Sequence, residues 1–239
     1  CEAYETTRKV WQLDTVFRSV EREDIYDLGH EMRPSDRVFS WGAKDDYDSL
    51  PYKFVDFFTR GVGEEMLYDW YFLMDDDTYL YVDRLKARIA HLDVCPQTDP
   101  YMEGSLMTHL AKSPWGVYHS GGAGTLLSLA AVKGIRDRLQ GMLRRGGMYM
   151  VPHTCADLCL GLWASGLPRL QRIHVDEYHP EMSPVAGRRG DVIRRREERE
   201  DARMAITFHH LKTKEDFWEH WRLGRELGAE NATVLKLSI

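Results

Sequence analysis

The spacing of apolar residues changes along the chain and predicts helices that alternate with strands. Apolar residues recur at helical spacing in some segments, whereas short apolar runs predict strands in others. The predicted helices cover residues 2–12, 47–61, 82–92, 126–143, 157–166 and 213–227. The predicted strands cover residues 14–20, 37–41, 69–74, 101–107, 116–120, 170–178 and 203–211. Strands that alternate with helices over one core favour an α/β fold with a mainly parallel sheet.

Boundary signals support two of these helices. Pro51 suits the first turn of the helix at 47–61, and Gly61 stands at its end. Thr213 and Asp216 form an N-terminal capping pattern for the last helix. The apolar residues of this helix that we expect to pack inward are Phe217, Trp221 and Leu227.

An unbroken apolar run at 69–74 predicts a strand buried on both faces, and it leads directly into Asp75, Asp76 and Asp77. In parallel α/β sheets, ligands collect beyond the carboxyl ends of the strands. Adjacent carboxylates repel one another and are costly to bury without a positive partner. Capping of the next helix is the simplest alternative, but three acids directly after an apolar strand exceed what capping requires.

Two further interpretations of these aspartates differ in their chemistry. A phosphatase of the haloacid dehalogenase kind also places DxD after an apolar strand. Its pattern requires Thr or Val where Tyr79 stands, so we reject it. A metal–diphosphate site fits better, because Mn²⁺ and Mg²⁺ prefer carboxylate oxygens, here those of Asp75 and Asp77. Mn²⁺ also accepts an imidazole, which the adjacent His209 and His210 of TFHHL offer.

Length and charge narrow the class of protein. The 239 residues suffice for one sizeable core, so we expect a single domain over 1–239. The net charge of −6 argues against nucleic acid as a partner. No apolar run approaches the roughly 20 residues of a membrane span.

The charged run at 187–201 has few apolar residues and predicts a mobile, solvated loop, with a lid or acceptor-binding loop as the alternative.

The cysteines do not have metal-binding spacing. No CxxC pair is present, so a zinc site is not expected, while disulfides in an oxidising compartment remain an alternative. The sequon Asn231-Ala232-Thr233 also fits a secreted chain. The cysteines are Cys1, Cys95, Cys155 and Cys159.

Four blocks of the sequence, in order, resemble glycosyltransferase family 31. They are DWYFLMDDDTYLYVDRL, HSGGAGTLLSLAAVKGI, CADLCLGLWASG and MAITFHHLKTKEDF. The segments RKVW and YDSLPYKFVDFF are similar to that family too. Within the family, the sequence resembles the core 1 β1,3-galactosyltransferases most and Fringe next. The resemblance extends over most of the chain and implies a GT-A fold, a UDP-sugar donor, Mn²⁺ (with Mg²⁺ as the alternative ion) and inversion at the anomeric carbon.

Position by position, the resemblance implies a division of roles. Asp77 and His209 would bind the metal, and Asp75 would bind the metal or the donor ribose. Asp157 matches the acid that supplies the catalytic base, although Ala156 stands where the family has another acid. An inverting transfer needs a base on the acceptor hydroxyl, opposite the leaving diphosphate. Without the resemblance, capping of the helix that follows would account for Asp157 equally well.

Other site residues follow from the same resemblance. The GGAG loop would lie against the donor sugar and acceptor, with a ligand-free tight turn as the alternative. The donor-binding residues are expected to be Asp75, Asp76, Lys53, Arg8, Gly121 and Gly122. The residues expected near the acceptor are Glu103, Trp115 and Tyr118.

The resemblance therefore implies an enzyme that transfers a sugar from a UDP-sugar to a glycan or glycoprotein hydroxyl with a β1,3 linkage. Galactose is the first choice of sugar, and Fringe-like transfer of N-acetylglucosamine is the alternative. A non-catalytic GT-A-like domain that binds glycans or acts as a chaperone is the rival from another class. The family also implies a Golgi or secretory lumen and an N-terminal membrane anchor of a type II protein. Its members carry a nucleotide-pocket strand before the RKVW helix, which the sequence from Cys1 does not supply.

Overall fold

The computed structural model of the chain describes residues 8–21, 49–62, 68–108, 116–146, 151, 155–182 and 204–226. Several predictions lie outside these residues, namely the strand at 37–41, the loop at 187–201, Trp115, Leu227 and the sequon at 231–233. Within the described ranges, no helix is both long and apolar enough to cross a membrane.

The described residues form α-helices at most of the predicted places. These are α1 (Arg8–Asp14), α2 (Leu50–Asp56), α3 (Val82–Ala90), α4 (Leu129–Arg144), α5 (Ala156–Ser165) and α6 (Lys214–Glu226). A π-helical turn, Phe57–Gly61, continues α2 to the predicted glycine. The capping pattern of α6 is confirmed, because Thr213 N donates to Asp216 Oδ2 at 2.9 Å and Asp216 N donates to Thr213 Oγ1 at 3.2 Å.

The strand predicted at 14–20 is wrong. A 3₁₀ turn, Val16–Ser19, follows α1 instead. Thr15 Oγ1 donates to the carbonyl of Trp11 at 2.6 Å, and Thr15 N donates to the carbonyl of Gln12 at 3.2 Å. These local bonds keep the chain turning where the sequence was predicted to form an extended strand.

The described strands lie in three sheets. The strands are β1 (Trp70–Leu73), β2 (Tyr79–Leu80), β3 (Tyr101–Gly104), β4 (Leu106–Met107), β5 (Tyr118–His119), β6 (Thr125–Ser128), β7 (Gln171–His174), β8 (Tyr178–Met182) and β9 (Thr207–His209). The four-stranded sheet has the order β1-β6-β3-β7, the three-stranded sheet has the order β2-β9-β8, and the remaining pair is β4-β5.

The architecture is mixed α/β, but the prediction of a mainly parallel sheet is wrong. β6 pairs antiparallel with both β1 and β3, whereas β3 pairs parallel with β7. The predicted helix at 126–143 wrongly included residues of β6. The error arose because Leu126 and Leu127 continue into the apolar face of α4 without a break. Ser128 marks the real boundary: its Oγ accepts a hydrogen bond from Ala131 N at 3.2 Å and caps α4.

Two clusters of buried side chains lie on opposite faces of the four-stranded sheet. Leu126 and Leu127 are consecutive in β6, so they point to opposite faces, and each belongs to a different cluster. The first cluster unites the sheet with α2, α4 and α5 around Phe58 and Trp163. The second unites it with β2, β9, α3 and α6 around Phe208. The chain segments that leave β1 and β9 therefore meet beside the second cluster.

Candidate active site and metal centre

The aspartate turn, residues 75–77, connects β1 to β2 and is held from two directions. Gln12 Nε2 of α1 donates to the carbonyl of Asp75 at 3.2 Å. Leu211 N, which follows β9, donates to the carbonyl of Asp77 at 2.9 Å. The turn is therefore tied to α1 and to the segment after β9, far apart in sequence.

His209 reaches this turn through strand pairing. β9 runs antiparallel to β2, with Phe208 opposite Tyr79, and His209 is its last residue. His209 Nε2 lies 3.0 Å from Asp77 Oδ1 and 3.9 Å from Asp75 Oδ2. The structure thus brings together the three residues predicted as metal ligands.

His210 joins the same cluster through an uncommon backbone conformation. Its φ of 63° lies in the left-handed region, which few residues other than glycine adopt. The His209 and His210 rings stack with their centroids 3.8 Å apart. One ligand atom each from Asp77, His209 and His210 lies within 4.8 Å of the others. Such backbone outliers often accompany functional sites, because local structure must hold them in place.

Two cationic side chains also contact the aspartates. Arg8 Nη1 of α1 lies 2.9 Å from Asp76 Oδ1 and 3.7 Å from Asp77 Oδ2. Lys212 Nζ contacts Asp77 Oδ2 as well. The predicted donor-binding residue Arg8 therefore lies in the site, where it pairs with the carboxylates.

Their surroundings give Asp75 and Asp77 different protonation behaviour. Burial, aided by the negative charge of Asp157, raises the pKa of Asp75 to about 6. Burial also disfavours the charged form of Asp77, but hydrogen bonds from His209 and Lys212 outweigh it and hold the pKa of Asp77 below its usual range. Asp77 is therefore the carboxylate that stays ionised over the whole range near neutral pH.

The glycine loop, residues 121–124, closes over this cluster. Thr78 Oγ1 donates to the carbonyl of Gly122 at 2.7 Å, which joins the loop to the residue after the aspartate turn. A Cβ atom at Gly122 would overlap the His209 imidazole. Glycine is thus needed here for close approach of the backbone to a site residue.

Asp157 faces the glycine loop from the first turn of α5. Its Oδ2 accepts a hydrogen bond from Gly121 N at 2.8 Å. Burial raises the pKa of Asp157, although this hydrogen bond acts in the opposite direction. The charge of Asp157 acts on Asp75, and it also raises the pKa of Tyr118, for which burial is the larger cause. Asp157 therefore lies close enough to Asp75 and Tyr118 for its charge to act on both.

The capping alternative for Asp157 does not describe the start of α5. The residue at the N-cap is Cys155, and α5 begins at Ala156. Asp157 lies inside the first turn, and its carboxylate reaches across to another segment.

No disulfide links the cysteines at 95, 155 and 159, so the disulfide alternative has no support in the described residues.

Two other predicted residues lie in the protein interior. Lys53 is buried on α2, a helix that packs against α5. Glu103 on β3 is fully buried, and its carboxylate accepts hydrogen bonds from Tyr101 Oη at 2.5 Å, Tyr178 Oη at 2.9 Å and Arg88 Nη2 at 3.1 Å. Because its side chain has no exposed surface, this position gives no support to the predicted contact of Glu103 with an acceptor.

Sequence reasoning missed Lys212 and Gln12. Gln12 stands four positions after Arg8, so both lie on one face of α1 and a signal was available. Lys212 lies in the short segment between His209, the last residue of β9, and the capping residue Thr213. Because both ends of this segment are held in place, Lys212 must lie close to His209.

The donor atoms of this cluster fit a divalent cation. A carboxylate with two imidazoles suits Mn²⁺ or Zn²⁺, whereas Mg²⁺ prefers oxygen ligands throughout. The residues that would hold the ion are Asp77, His209 and His210, with Asp75 beside them. The arrangement thus combines a candidate cation site with a separate, partly buried carboxylate, Asp157.

Comparison with known proteins finds a similarity over part of the chain. The chain is similar to Chondroitin sulfate glucuronyltransferase from Homo sapiens, with 36% identity over 74 residues. The aligned segment covers 31% of this chain and 9% of the human protein. No protein-family model matches the chain. The aligned segment is a small part of the human protein, and the resemblance to family 31 and the GT-A fold remain predictions.

Proposed function

We propose that the chain is an inverting, metal-dependent glycosyltransferase that moves a sugar from a UDP-sugar to a hydroxyl of a glycan or glycoprotein. The observation that carries this proposal is the pairing of two chemically distinct features in one site. Asp77, His209 and His210 offer ligands for a cation, while Asp157 lies apart on α5 with a raised pKa. The glucuronyltransferase similarity supports the same reaction class.

A bound Mn²⁺ would offset the negative charge of the diphosphate that leaves with UDP. Arg8 would compensate Asp76, so that the aspartate turn does not repel the donor's phosphates. The glycine loop would let the donor sugar approach the backbone, and Gly121 N would orient the carboxylate of Asp157.

Asp157 is the proposed general base. A carboxylate whose pKa is raised by burial is a better proton acceptor than an ordinary aspartate. It would accept the proton of the acceptor hydroxyl as the oxygen attacks the anomeric carbon, and UDP would depart from the opposite face. The charge of Asp157 acts on Tyr118, which we propose as a residue that contacts the acceptor.

We propose three sugars as candidates for the transferred group. Galactose with a β1,3 linkage is the first choice from the family 31 resemblance, and N-acetylglucosamine is the second. Glucuronate enters as a third, because the human relative is named a glucuronyltransferase. We place the reaction in the lumen of the secretory pathway, on the same grounds of similarity.

The proposal is tested by UDP release from a panel of UDP-sugars, with Mn²⁺ and with a chelator. We expect release from one of these donors to require Mn²⁺. A protein that neither binds UDP with Mn²⁺ nor turns over any UDP-sugar would be a non-catalytic domain, and the proposed function would be wrong.

Replacement of Asp157 by Asn separates chemistry from binding. The Asn oxygen can still accept the Gly121 hydrogen bond, but the side chain cannot take up a proton near neutral pH. We expect Asp157→Asn to bind UDP and Mn²⁺ normally and to lose about 100-fold or more in transfer rate. Asp137→Asn, an exposed change on α4, is the matched control. Normal transfer by Asp157→Asn would disprove the assignment of the base.

A further inference from the structure

Lys212 lies on the carboxylate that would hold the cation. Its Nζ contacts Asp77 Oδ2, while His209 Nε2 lies 3.0 Å from Asp77 Oδ1. Both oxygens of Asp77 therefore have partners already, and Arg8 Nη1 lies 3.7 Å from Oδ2 as well. The ammonium of Lys212 supplies part of the positive charge that a cation would bring.

The backbone of Lys212 is fixed, but its side chain has room to move. Lys212 N donates to Asp216 Oδ2 at 3.1 Å, which ties the residue to the capping box of α6. The Lys212 side chain is 52% exposed, whereas that of Asp77 is 8% exposed. A lysine ammonium stands on a flexible four-carbon stem, so it can leave one partner for another without backbone movement.

A cation on Asp77 changes which position is favourable for this ammonium. Two positive charges at one carboxylate oxygen repel each other, and the repulsion is strong where Asp77 is buried. A diphosphate bound by the same cation would offer new anionic oxygens nearby. Ammonium groups bind phosphate oxygens through charge-assisted hydrogen bonds.

We propose that Lys212 exchanges partners: it pairs with Asp77 in the metal-free protein and binds the donor's diphosphate once a divalent cation is bound. This inference rests on the proposed function. Lys212 then opposes binding of the cation alone and favours binding of cation and nucleotide together. The result is that the cation and the donor load as a unit.

The test is the substitution Lys212→Met, which removes the charge and keeps a long side chain and the backbone hydrogen bond. Mn²⁺ binding is measured by calorimetry without nucleotide, and UDP binding is then measured at saturating Mn²⁺. We expect Mn²⁺ alone to bind about fivefold more tightly, because the competing contact is gone. We expect UDP to bind about tenfold more weakly, because a charge-assisted contact is lost.

Lys214→Met is the matched control, since Lys214 is an exposed lysine two positions further along and should change neither constant. A Lys212→Met protein that binds Mn²⁺ with unchanged affinity, or binds both ligands more weakly, would overturn the exchange and leave the proposed function intact. A wild-type protein that binds no Mn²⁺ and no UDP would overturn both.

Discussion

Asp75 and Asp77 are two positions apart, yet their surroundings suit them to different tasks. Asp77 is contacted by His209 and Lys212, which keep it ionised and in one orientation. Asp75 has the raised pKa of a partly buried carboxyl group with other acids nearby. We infer that Asp77 is the anchor of the cation site. A cation that offsets the neighbouring carboxylates would lower the pKa of Asp75.

Gly122 is the position where a single methyl group should damage this site. A Cβ in Gly122→Ala would overlap the His209 imidazole and force the ring away from Asp77. We expect Mn²⁺ to bind at least about tenfold more weakly, because an imidazole ligand loses its orientation. Overpacking should also reduce the free energy of unfolding by about 1–3 kcal/mol. Calorimetric titration and urea unfolding measure the two effects.

Gly141→Ala provides the control for this prediction. A Cβ at Gly141 on α4 would meet its nearest neighbour, a side-chain atom of Arg145, at 3.7 Å, which is ordinary contact. This substitution should leave Mn²⁺ affinity unchanged and make the helix slightly more stable. Equal Mn²⁺ affinity in wild type and Gly122→Ala would show that His209 is not a ligand in the position described.

Helices were predictable where a local signal marked their ends, and strands were less so. The pair Thr213–Asp216 acts through hydrogen bonds within one turn, so the sequence alone reveals it. β6 depends instead on partners in β1 and β3 that are distant in sequence. Its residues are apolar on both faces, and such a run gives no period by which strand and helix can be told apart.

The candidate site shows the same distinction between local and distant determinants. The aspartates and His209 were predictable because they stand in recognisable blocks of sequence. Lys212 was not, because its role comes from the meeting of the segment after β9 with the aspartate turn. The interior position of Glu103 was also unpredictable, since its partners Arg88 and Tyr178 come from two other elements.

The capping box of α6 is the device that holds this segment in place. Asp216 Oδ2 accepts hydrogen bonds from Lys212 N at 3.1 Å and Thr213 N at 2.9 Å. We expect Asp216→Ala to lower the free energy of unfolding by about 1–2 kcal/mol, as loss of an N-terminal cap does. Urea unfolding of this variant is compared with Glu215→Ala, an exposed change in the same turn. A similar loss in both variants would mean that the reciprocal bonds do not stabilise α6.

The α6 helix links the site to the second core cluster. His220 of α6 is fully buried, and its Nδ1 lies 2.9 Å from Tyr81 Oη. Its ring packs against Tyr79 and Phe208, the paired residues of β2 and β9. The strands that deliver Asp77 and His209 thus depend on a histidine that must stay neutral. Loss of that neutrality would affect the fold and the site together.

Acid should therefore destabilise the protein through His220. Burial lowers the pKa of His220 in the folded state to about 3, below the ordinary value of 6.5. Between these values the unfolded state binds more protons, so the stabilisation is complete above pH 6.5 and is lost as pH falls toward 3. The expected loss from this residue approaches about 1.4 kcal/mol per pH unit.

The contribution of His220 can be isolated by comparing wild type with His220→Asn in urea unfolding at several pH values. Other buried groups, such as His119 with its pKa lowered to about 4 by burial, titrate in both proteins and cancel in the difference. We expect the stability of wild type to fall more steeply with acid than that of His220→Asn between pH 6 and 4.5, by at most about 1.4 kcal/mol per pH unit. His91→Asn, a change at an exposed histidine, controls for loss of a histidine as such. Parallel pH profiles for wild type and His220→Asn would show that His220 remains accessible to protons in the folded protein, and α6 would then not couple acid to the site.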